Sequence, residues 1–274
     1  MTPTLLLGTS GYSYDEWHGV FYPRGLAKSA RLDFYASVFR ALEINSTYYG
    51  TPRPDAARRA VREARGRLAF SVKAPGDVTH RGRADAATVN PFLDYLEPFR
   101  EGGVLSAVLL QFPNGLHNTT EGRGLIRQAC GALAGLPLAV ELRHASWDNA
   151  AADAFLADMA VSRVAIDQPE LRGLSESRRA APTGPIAYVR FHGRNAAAWY
   201  GHGDPAGDSR YRYRYQAGEL HPWIPALRDA AEKATSTLVF FNNHPDGNAI
   251  LDALALATML GDPRAVPEPG DLFG

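Results

Sequence analysis

The chain contains very little cysteine and very little lysine. Its single cysteine, Cys130, excludes an internal disulfide, and its place in a helix-like stretch indicates a small half-buried apolar residue rather than a nucleophile. Only Lys28, Lys73 and Lys233 are lysines, and the other 26 basic residues are arginines. We attribute this imbalance to genome composition. A lysine in such a chain is therefore more informative than usual.

Long hydrophobic runs and a net charge are also missing. No run approaches the roughly 20 apolar residues that cross a membrane, and the first residues lack the basic start of a signal peptide. The formal net charge is zero, so no global attraction to nucleic acid or to an anionic membrane is expected. We expect a cytoplasmic protein without a membrane partner.

Eight short apolar runs, rich in β-branched residues, are spread along the 274 residues. Such runs are typical of parallel strands that are buried on both faces. They are Leu5–Gly8, Ala41–Tyr48, Leu68–Ala74, Ser106–Phe112, Leu138–Arg143, Arg163–Asp167, Ala187–His192 and Thr237–Asn242. Helix-like patterns separate most of them, at Arg31–Phe39, Asp55–Arg65, Asn90–Arg100, Thr120–Ala134, Ala150–Met159, Glu219–Ala234 and Gly247–Leu260. The alternation predicts an α/β fold, a single-domain TIM (β/α)8 barrel over residues 1–261, with an irregular tail at 262–274.

Two segments depart from the regular alternation. Glu170–Ala181 shows little helical periodicity, which predicts an irregular sixth unit. Gly193–Ser209 follows the seventh run and is much longer than an ordinary βα loop, so we predict a mobile lid in which Trp199 and Tyr200 close over a ligand. A surface loop pinned to the rim by these aromatics is the alternative. The alternative fold is an open doubly wound sheet. It is less favoured because no Gly-rich phosphate-binding turn follows the first run.

Polar side chains lie near the ends of the runs, where TIM barrels place their active sites. Residues two apart share one face of a strand, and the polar residues of four runs are separated by an apolar one. An unpaired charge under the helix layer would cost several kcal/mol, so the barrel mouth is the expected location. The candidate site residues are Ser10, Tyr12, Glu43, Asn45, Ser71, Lys73, Gln111, Glu141, Arg143, His144, Trp147, Asp167, Arg190, His192, Trp199 and Asn242.

The motifs that contain these residues resemble the YecE-like family, or domain of unknown function 72. The matching segments are Gly8–Tyr14 with Trp17, Gly19 and Phe21–Pro23, Glu43–Tyr49, Phe70–Pro75 with Thr79 and His80, Gln111–Pro113, Glu141–Trp147, Val189–Gly193 and Phe241–Asn243. The resemblance covers about Gly8 to Leu260. It implies a TIM barrel and supplies no reaction. Tyr12 and Asp252 stand where the family pattern has tryptophan and asparagine.

The charges of the candidate site suggest its chemistry. We expect Glu43 to pair with Lys73, and Asp167 with Arg190, which would keep the carboxylates ionised. Arg143 and Arg190 suit a phosphate or carboxylate group, and many TIM barrels bind phosphate after strands seven and eight. The predicted function is metal-independent acid–base chemistry, without a cofactor, on a small anionic or sugar-like substrate.

Roles follow for the individual side chains. Glu43 and Glu141 are the candidate acid and base, and His192 is an alternative proton carrier. Lys73, Arg143 and Arg190 would stabilise negative charge, and three amides would orient the substrate. The three amides are Asn45, Gln111 and Asn242.

Five other functions stay open. A metal-dependent phosphoesterase, nuclease or isomerase could use carboxylates and histidines of the set, His244 included, although the interleaved cations oppose a divalent ion. A glycosidase could use Glu43 and Glu141, and Lys73 could form a Schiff base. The Arg210–Tyr215 run alternates arginine and tyrosine as single-strand binders do, but its tyrosines are expected to pack inward. A non-catalytic binding protein is the remaining class.

Overall fold

The eight apolar runs form a closed barrel of parallel strands in a computed structural model, which describes residues 5–176, 180–200 and 208–261. Each strand pairs with the next along the chain, and the last pairs with the first. The strands are β1 Leu5–Ser10, β2 Ala41–Ile44, β3 Ala69–Lys73, β4 Leu105–Gln111, β5 Leu138–Glu141, β6 Ser162–Asp167, β7 Ile186–Phe191 and β8 Ser236–Phe241. The predicted TIM-barrel fold is therefore confirmed.

Helices cover the outside of this barrel. In the described ranges they are α1 Arg31–Val38, α2 Pro54–Ala64, α3 Gly76–Thr79, α4 Ala86–Glu101, α5 Thr120–Ala132, α6 Ala150–Asp158, α7 Ala217–Leu220, α8 Trp223–Lys233 and α9 Asn248–Leu260. Three of them begin at a polar cap, where Asp85, Thr119 and Asn149 each accept a hydrogen bond from a backbone N–H of the first turn. These caps satisfy N–H groups that have no partner within the helix.

Two helices differ from the sequence-based boundaries. The predicted helix Glu219–Ala234 is two helices, because α7 ends before Pro222 and α8 begins after it. Pro222 has no backbone N–H, so it cannot donate the hydrogen bond that would continue α7, which explains the break at that point. The helix predicted from Asn90 begins four residues earlier, at the cap that Asp85 provides for α4.

Alternation along the strands divides the buried side chains between two cores. One core lies between the barrel and the helices. The other fills the barrel interior with Ala41, Ala107, Leu109, Ala139, Val164, Ile166, Ile186, Tyr188, Leu238 and Phe240. Since side chains two apart share a face, the residues that follow these at the strand ends point into the mouth. The interior core thus defines which strand-end residues belong to a site.

The irregular segments agree with the sequence where they are described. Between β6 and β7, residues 168–176 and 180–185 contain no helix, as predicted for the sixth unit. Part of the predicted lid, residues 201–207, and the predicted tail, residues 262–274, lie outside the described residues. Among the helices that the structure describes, none has the length and apolar character needed to span a membrane.

Candidate active site

A cavity of about 910 Å³ opens at the C-terminal ends of the strands. This is the end of a TIM barrel where the loops after the strands build catalytic sites. The candidate residues that line it are Tyr12, Glu43, Asn45, Lys73, Gln111, Arg143, Arg190, Trp199 and Asn242. Ser10, Glu141 and His192 lie beneath this lining, joined to it by hydrogen bonds, and Ser71 lies at the same depth, hydrogen-bonded to Tyr188. The alternation of side chains along each strand therefore predicts most of the candidate residues that line this cavity.

Arg190 joins two carboxylates at the base of the cavity. Its Nη2 lies 2.6 Å from Oε1 of Glu43, and its Nη1 lies 2.6 Å from Oε2 of Glu141. All three side chains are buried. Burial alone would raise the pKa of each carboxyl, but the charge of Arg190 together with the other charges and hydrogen bonds at each carboxylate outweighs it, and the pKa of both is lowered. Both glutamates are therefore ionised and paired.

A second set of hydrogen bonds completes the shell around Glu43. Ser10 donates to its Oε1 at 2.6 Å, and the hydroxyl of Tyr188 donates to its Oε2 at 2.6 Å. That hydroxyl also lies 2.7 Å from Oγ of Ser71. The sequence analysis missed Tyr188, although it lies two residues before Arg190 and therefore on the same face of β7. Every carboxylate oxygen of Glu43 thus accepts at least one short hydrogen bond.

Glu141 is held in the same manner, by Arg143 of its own strand end and by His192 from the end of β7. Nε of Arg143 donates to Oε1 of Glu141 at 2.6 Å. Nε2 of His192 lies 3.4 Å from the same oxygen. On the other side of the ring, Nδ1 of His192 lies 3.1 Å from Nδ2 of Asn242. Since an amide nitrogen can only donate, Nδ1 accepts and the ring proton sits on Nε2. Burial, with help from the two arginines, lowers the pKa of His192 to about 4, so the ring is neutral.

Lys73 differs from the other charged groups of the mouth. Its Nζ donates to Oε1 of Gln111 at 2.9 Å and lies 4.2 Å from the centre of the Tyr48 ring. Within the described ranges, no carboxylate lies within ion-pair distance of this amine. Burial, followed by the charges of Arg190 and Arg143, lowers the pKa of Lys73 to about 7. At neutral pH the ammonium and the free amine therefore coexist.

Both predicted ion pairs are wrong. Glu43 pairs with Arg190 rather than with Lys73, because Arg190 extends through the barrel interior to β2. Asp167 pairs with Arg194, whose Nη2 lies 2.6 Å from Oδ2. The register explains the second error: Ile166 lies beside Arg190, whereas Asp167 lies beside Phe191 and shares its outward direction. The side chain of Asp167 therefore lies on the helix side of the sheet.

Asp167 organises the outer face instead of the cavity. Its carboxylate accepts hydrogen bonds from the hydroxyl of Tyr215 at 2.8 Å and from the indole N–H of Trp223 at 3.0 Å. Arg194 binds the same carboxylate through Nε and Nη2. These contacts fix the start of the long segment after β7. The predicted role of Asp167 in binding substrate does not fit this position.

Two further candidates lie away from the cavity. Trp147 is buried, donates its indole N–H to the backbone oxygen of Leu116 at 2.8 Å, and packs against Phe155 of α6. His144 stacks on His117 with 3.8 Å between ring centres. The strand face that holds Glu141 and Arg143 ends before these residues, because the chain turns into a 3-10 helix at Ala145–Trp147. Their aromatic rings therefore serve packing around the fifth strand end.

Aromatic side chains outside the candidate site set form the rim. Tyr14 stacks on His244 with 4.4 Å between ring centres, and the ring of Tyr211 lies 6.2 Å from the same histidine. Tyr48 packs edge-on against His80 at 5.0 Å. All five residues line the cavity. Three of the five, Tyr14, Tyr48 and His80, lie in the motifs of the family resemblance.

The described part of the predicted lid contains one buried and one exposed aromatic. Trp199 is only 5% exposed and its ring lies 6.5 Å from that of Tyr211, whereas Tyr200 is 59% exposed. Both line the cavity. In the Arg210–Tyr215 run, Tyr215 is buried and Tyr213 is half-buried, while Arg212 and Arg214 are exposed. Arg210 also lines the cavity.

A metal site needs several carboxylates, imidazoles or thiolates directed at one point. In the part of the chain that the structure describes, no three such side chains are grouped in this way. Both glutamates of the mouth are directed at arginines. Cations therefore occupy the positions around these carboxylates that a metal would need.

Comparison with known proteins identifies the family of this barrel. The profile of the family described as "Protein of unknown function DUF72" matches residues 6–271. The chain belongs to the DUF72 family. Another protein that it resembles is the UPF0759 protein YunF of Bacillus subtilis (strain 168), 26% identical over 248 residues, which cover 85% of this chain and 87% of the Bacillus protein. The family resemblance found in the sequence motifs is confirmed.

Crystal structures of other DUF72 family proteins have the same fold. One from Thermotoga maritima MSB8 is 33% identical, with a TM-score of 0.85, and the match covers 94% of this chain and all of the other. One from Enterococcus faecalis V583 is 25% identical, with a TM-score of 0.83 and coverage of 94% and 96%. The DUF72 description assigns no activity.

Proposed function

We propose that the barrel mouth is the active site of an enzyme that acts on a small anionic substrate by metal-independent acid–base chemistry. The observation that carries the proposal is the position of Lys73 beside two arginines at the strand ends, without a carboxylate partner in the described residues. A general acid or base works best when its pKa lies near the operating pH, and the pKa of Lys73 is about 7. Lys73 is the proton carrier in this proposal.

The glutamates receive a different role from the one expected from sequence. A general acid must be protonated and a general base must have an accessible oxygen. Glu43 and Glu141 are buried, ionised and hydrogen-bonded on both oxygens, which argues against the acid and base roles and against a glycosidase. They instead hold Arg190 and Arg143 in place. His192 is buried beneath the cavity lining and orients Asn242.

Arg143 is the proposed contact for the substrate anion. Its side chain is 13% exposed and it lines the cavity. Among the described residues Nε donates to Glu141, whereas Nη2 only lies 3.4 Å from Nε2 of His192, which is itself protonated. A guanidinium edge of this kind binds carboxylate or phosphate through parallel hydrogen bonds. Asn45, Gln111 and Asn242 also line the cavity and would orient the rest of the substrate.

A ligand screen tests the proposal. Phosphate and carboxylate compounds are added in the presence of a chelator, and the melting temperature and turnover are measured for the wild type and three variants. The informative variants are Lys73→Met and Arg143→Gln, and Lys233→Met, an exposed lysine of α8, is the matched control. We expect anions to raise the melting temperature of the wild type and of Lys233→Met. Arg143→Gln should lose this stabilisation, and Lys73→Met should lose turnover.

Each contrary outcome identifies another function. Stabilisation by anions that is unchanged in Arg143→Gln would place the binding site elsewhere. Turnover that the chelator abolishes would favour a metal-dependent phosphoesterase or isomerase. A ligand that binds in the mouth and is never transformed by the wild type would favour a binding protein.

A further inference from the structure

Lys73 has the environment of a nucleophile as well as that of a proton carrier. A lysine that is paired with a carboxylate is held in its charged form, which is not nucleophilic. The polar contact of Nζ is instead the neutral oxygen of Gln111. Gln111 is itself oriented, because its Nε2 donates to the backbone oxygen of Phe112 at 2.7 Å. The amine therefore has a defined direction within an open cavity and an accessible lone pair when it is not protonated.

The neighbouring charges fit one kind of carbonyl compound. Arg143 and Arg190 repel an ammonium at Nζ and thereby increase the fraction of free amine, which is the form that attacks carbonyl carbon. Both terminal nitrogens of Arg190 are bound to glutamates, whereas Arg143 contacts Glu141 through Nε and its terminal nitrogens face the cavity. A substrate that carries a carboxylate near its carbonyl would contact both Arg143 and Lys73.

We infer that Lys73 forms an imine with the carbonyl carbon of a small oxo acid whose carboxylate binds to Arg143. This inference rests on the proposed function, since it assigns the substrate class of the same site. It adds a covalent intermediate, which acid–base chemistry alone does not require.

The bond changes balance without an external oxidant or reductant. The lone pair of Nζ forms a bond to the carbonyl carbon, and the carbonyl oxygen becomes a hydroxyl as one proton passes from nitrogen to oxygen. The hydroxyl then takes a second proton from solvent and leaves as water, while the lone pair of nitrogen forms the double bond. The products are one protonated imine and one water molecule.

Two side chains beside Lys73 suit these steps. The face of the Tyr48 ring lies 4.2 Å from Nζ, where it stabilises a positively charged nitrogen, including that of the imine. His80 packs against the Tyr48 ring, and burial lowers its pKa to about 4, so it adds no positive charge beside the amine at pH 7.

Reductive trapping tests the inference. The wild type is incubated with pyruvate, glyoxylate or 2-oxoglutarate and sodium borohydride, and peptide mass spectrometry locates the reduced adduct on one of the three lysines. We expect the adduct on Lys73, with Lys28 and Lys233 as internal controls, and no adduct at position 73 in Lys73→Met or Lys73→Arg. Circular dichroism verifies that both variants are folded.

Acetone, which lacks the carboxylate, tests the role of Arg143. We expect Arg143→Gln to reduce trapping of pyruvate about tenfold or more, as the loss of a charge-assisted hydrogen bond implies, and to leave trapping of acetone unchanged. Equal trapping of acetone and pyruvate by the wild type would overturn the assignment of an oxo acid. Equal labelling of Lys28, Lys73 and Lys233 would overturn the nucleophile.

The two proposals fail in different ways. Oxo acids that raise the melting temperature through Arg143 but leave no adduct with any of the three probes would reject the imine and leave the acid–base proposal standing. If no anion binds through Arg143 and Lys73→Met does not change turnover, the proposed function itself is rejected.

Discussion

Tyr188 on β7 donates a 2.6 Å hydrogen bond to Glu43 on β2 through the inside of the barrel. Both side chains are buried. The contact joins two strands that are separated by β8 and β1 in the order of the barrel. The polar layer under the cavity therefore connects strands that are not neighbours in the sheet. Each of its hydrogen bonds can be tested by a single substitution.

Replacing Tyr188 by phenylalanine should destabilise the protein by about 1–3 kcal/mol, because a buried carboxylate loses a donor. Ser71 also loses the hydroxyl that lies 2.7 Å from its own. Urea denaturation measures the free energy of unfolding. Tyr49→Phe is the matched control, since that side chain is 88% exposed and should cost less than about 0.5 kcal/mol. Equal losses in the two variants would contradict the buried hydrogen bond.

Glu141→Gln should be more destabilising, because it leaves Arg190 and Arg143 with one negative charge fewer in a buried place. Breaking a buried ion pair by removing one partner costs about 3–5 kcal/mol. The free energy of unfolding is again the measurement. Glu97→Gln is the control, since it removes a surface pair with Arg100 that is worth less than about 1 kcal/mol. A similar small loss for Glu141→Gln would show that this network does not hold the mouth together.

The two neighbouring aromatics after β7 should behave differently. Trp199 is buried against the rim, so Trp199→Ala should cost about 3 kcal/mol of folding stability. Tyr200 is exposed, so Tyr200→Ala should leave stability unchanged and weaken the stabilisation by anions in the ligand screen. This expectation favours the pinned-loop alternative for Trp199. Unchanged stability in Trp199→Ala, together with weaker ligand binding, would support the lid instead.

The reactivity of Lys73 should depend on pH with a midpoint of about 7. A lowered pKa means that the amine is deprotonated above this pH, so acylation should increase from pH 5 through 7 and then level off. An ordinary lysine has a pKa of about 10.4 and does not level off in this range. Competitive labelling with acetic anhydride, followed by mass spectrometry of the three lysines, measures the profile. A midpoint near 10 would contradict the prediction.

Asp252→Asn should stabilise the protein at alkaline pH. Burial raises the pKa of Asp252 to about 6, so above this pH the folded state contains a buried charge that the unfolded state holds in water. Stability therefore falls as the pH rises from about 4 to above 6. An asparagine oxygen can still accept from the backbone N–H of Tyr215 and from Nδ2 of Asn243.

The expected gain for Asp252→Asn is about 1–2 kcal/mol at pH 8, reduced by the loss of the contact with Arg214, and close to zero at pH 4. Thermal unfolding at the two pH values measures it. Asp246→Asn, which removes a surface pair with Arg212, is the control and should show no comparable gain. A loss of stability at pH 8 would mean that the contact with Arg214 outweighs burial.

The sequence predicts the barrel well because apolar runs and helix caps are local signals. It also predicts the inward direction of Glu43, Lys73 and Arg190, since alternation along one strand needs no knowledge of its neighbours. It fails for Asp167, because the choice of face depends on the register with β7, which places Asp167 beside Phe191. Register depends on contacts between strands that are distant in the chain, and no single run contains that information.

The same limit explains the errors in pairing. Glu43 and Lys73 lie on adjacent strands, which favours a pair in any estimate from sequence. The long guanidinium of Arg190 instead reaches Glu43 from 147 residues away. Trp147 belongs to the same motif as Glu141 and Arg143 and was therefore among the candidates, but the chain turns before it. Side-chain reach and loop direction decide these contacts, and both are properties of the closed barrel.

The Arg190 contact also constrains the order in which the mouth can be assembled. Ribosomes produce Glu43 long before β7, and until that strand arrives Ser10 is its one native side-chain donor from the residues already made. Contacts that span so much chain form late, since closing a long loop must precede them. The counter-charge of Glu43 thus arrives with the seventh strand, and a nascent chain halted before Ile186 would contain six strands and a Glu43 without its cation.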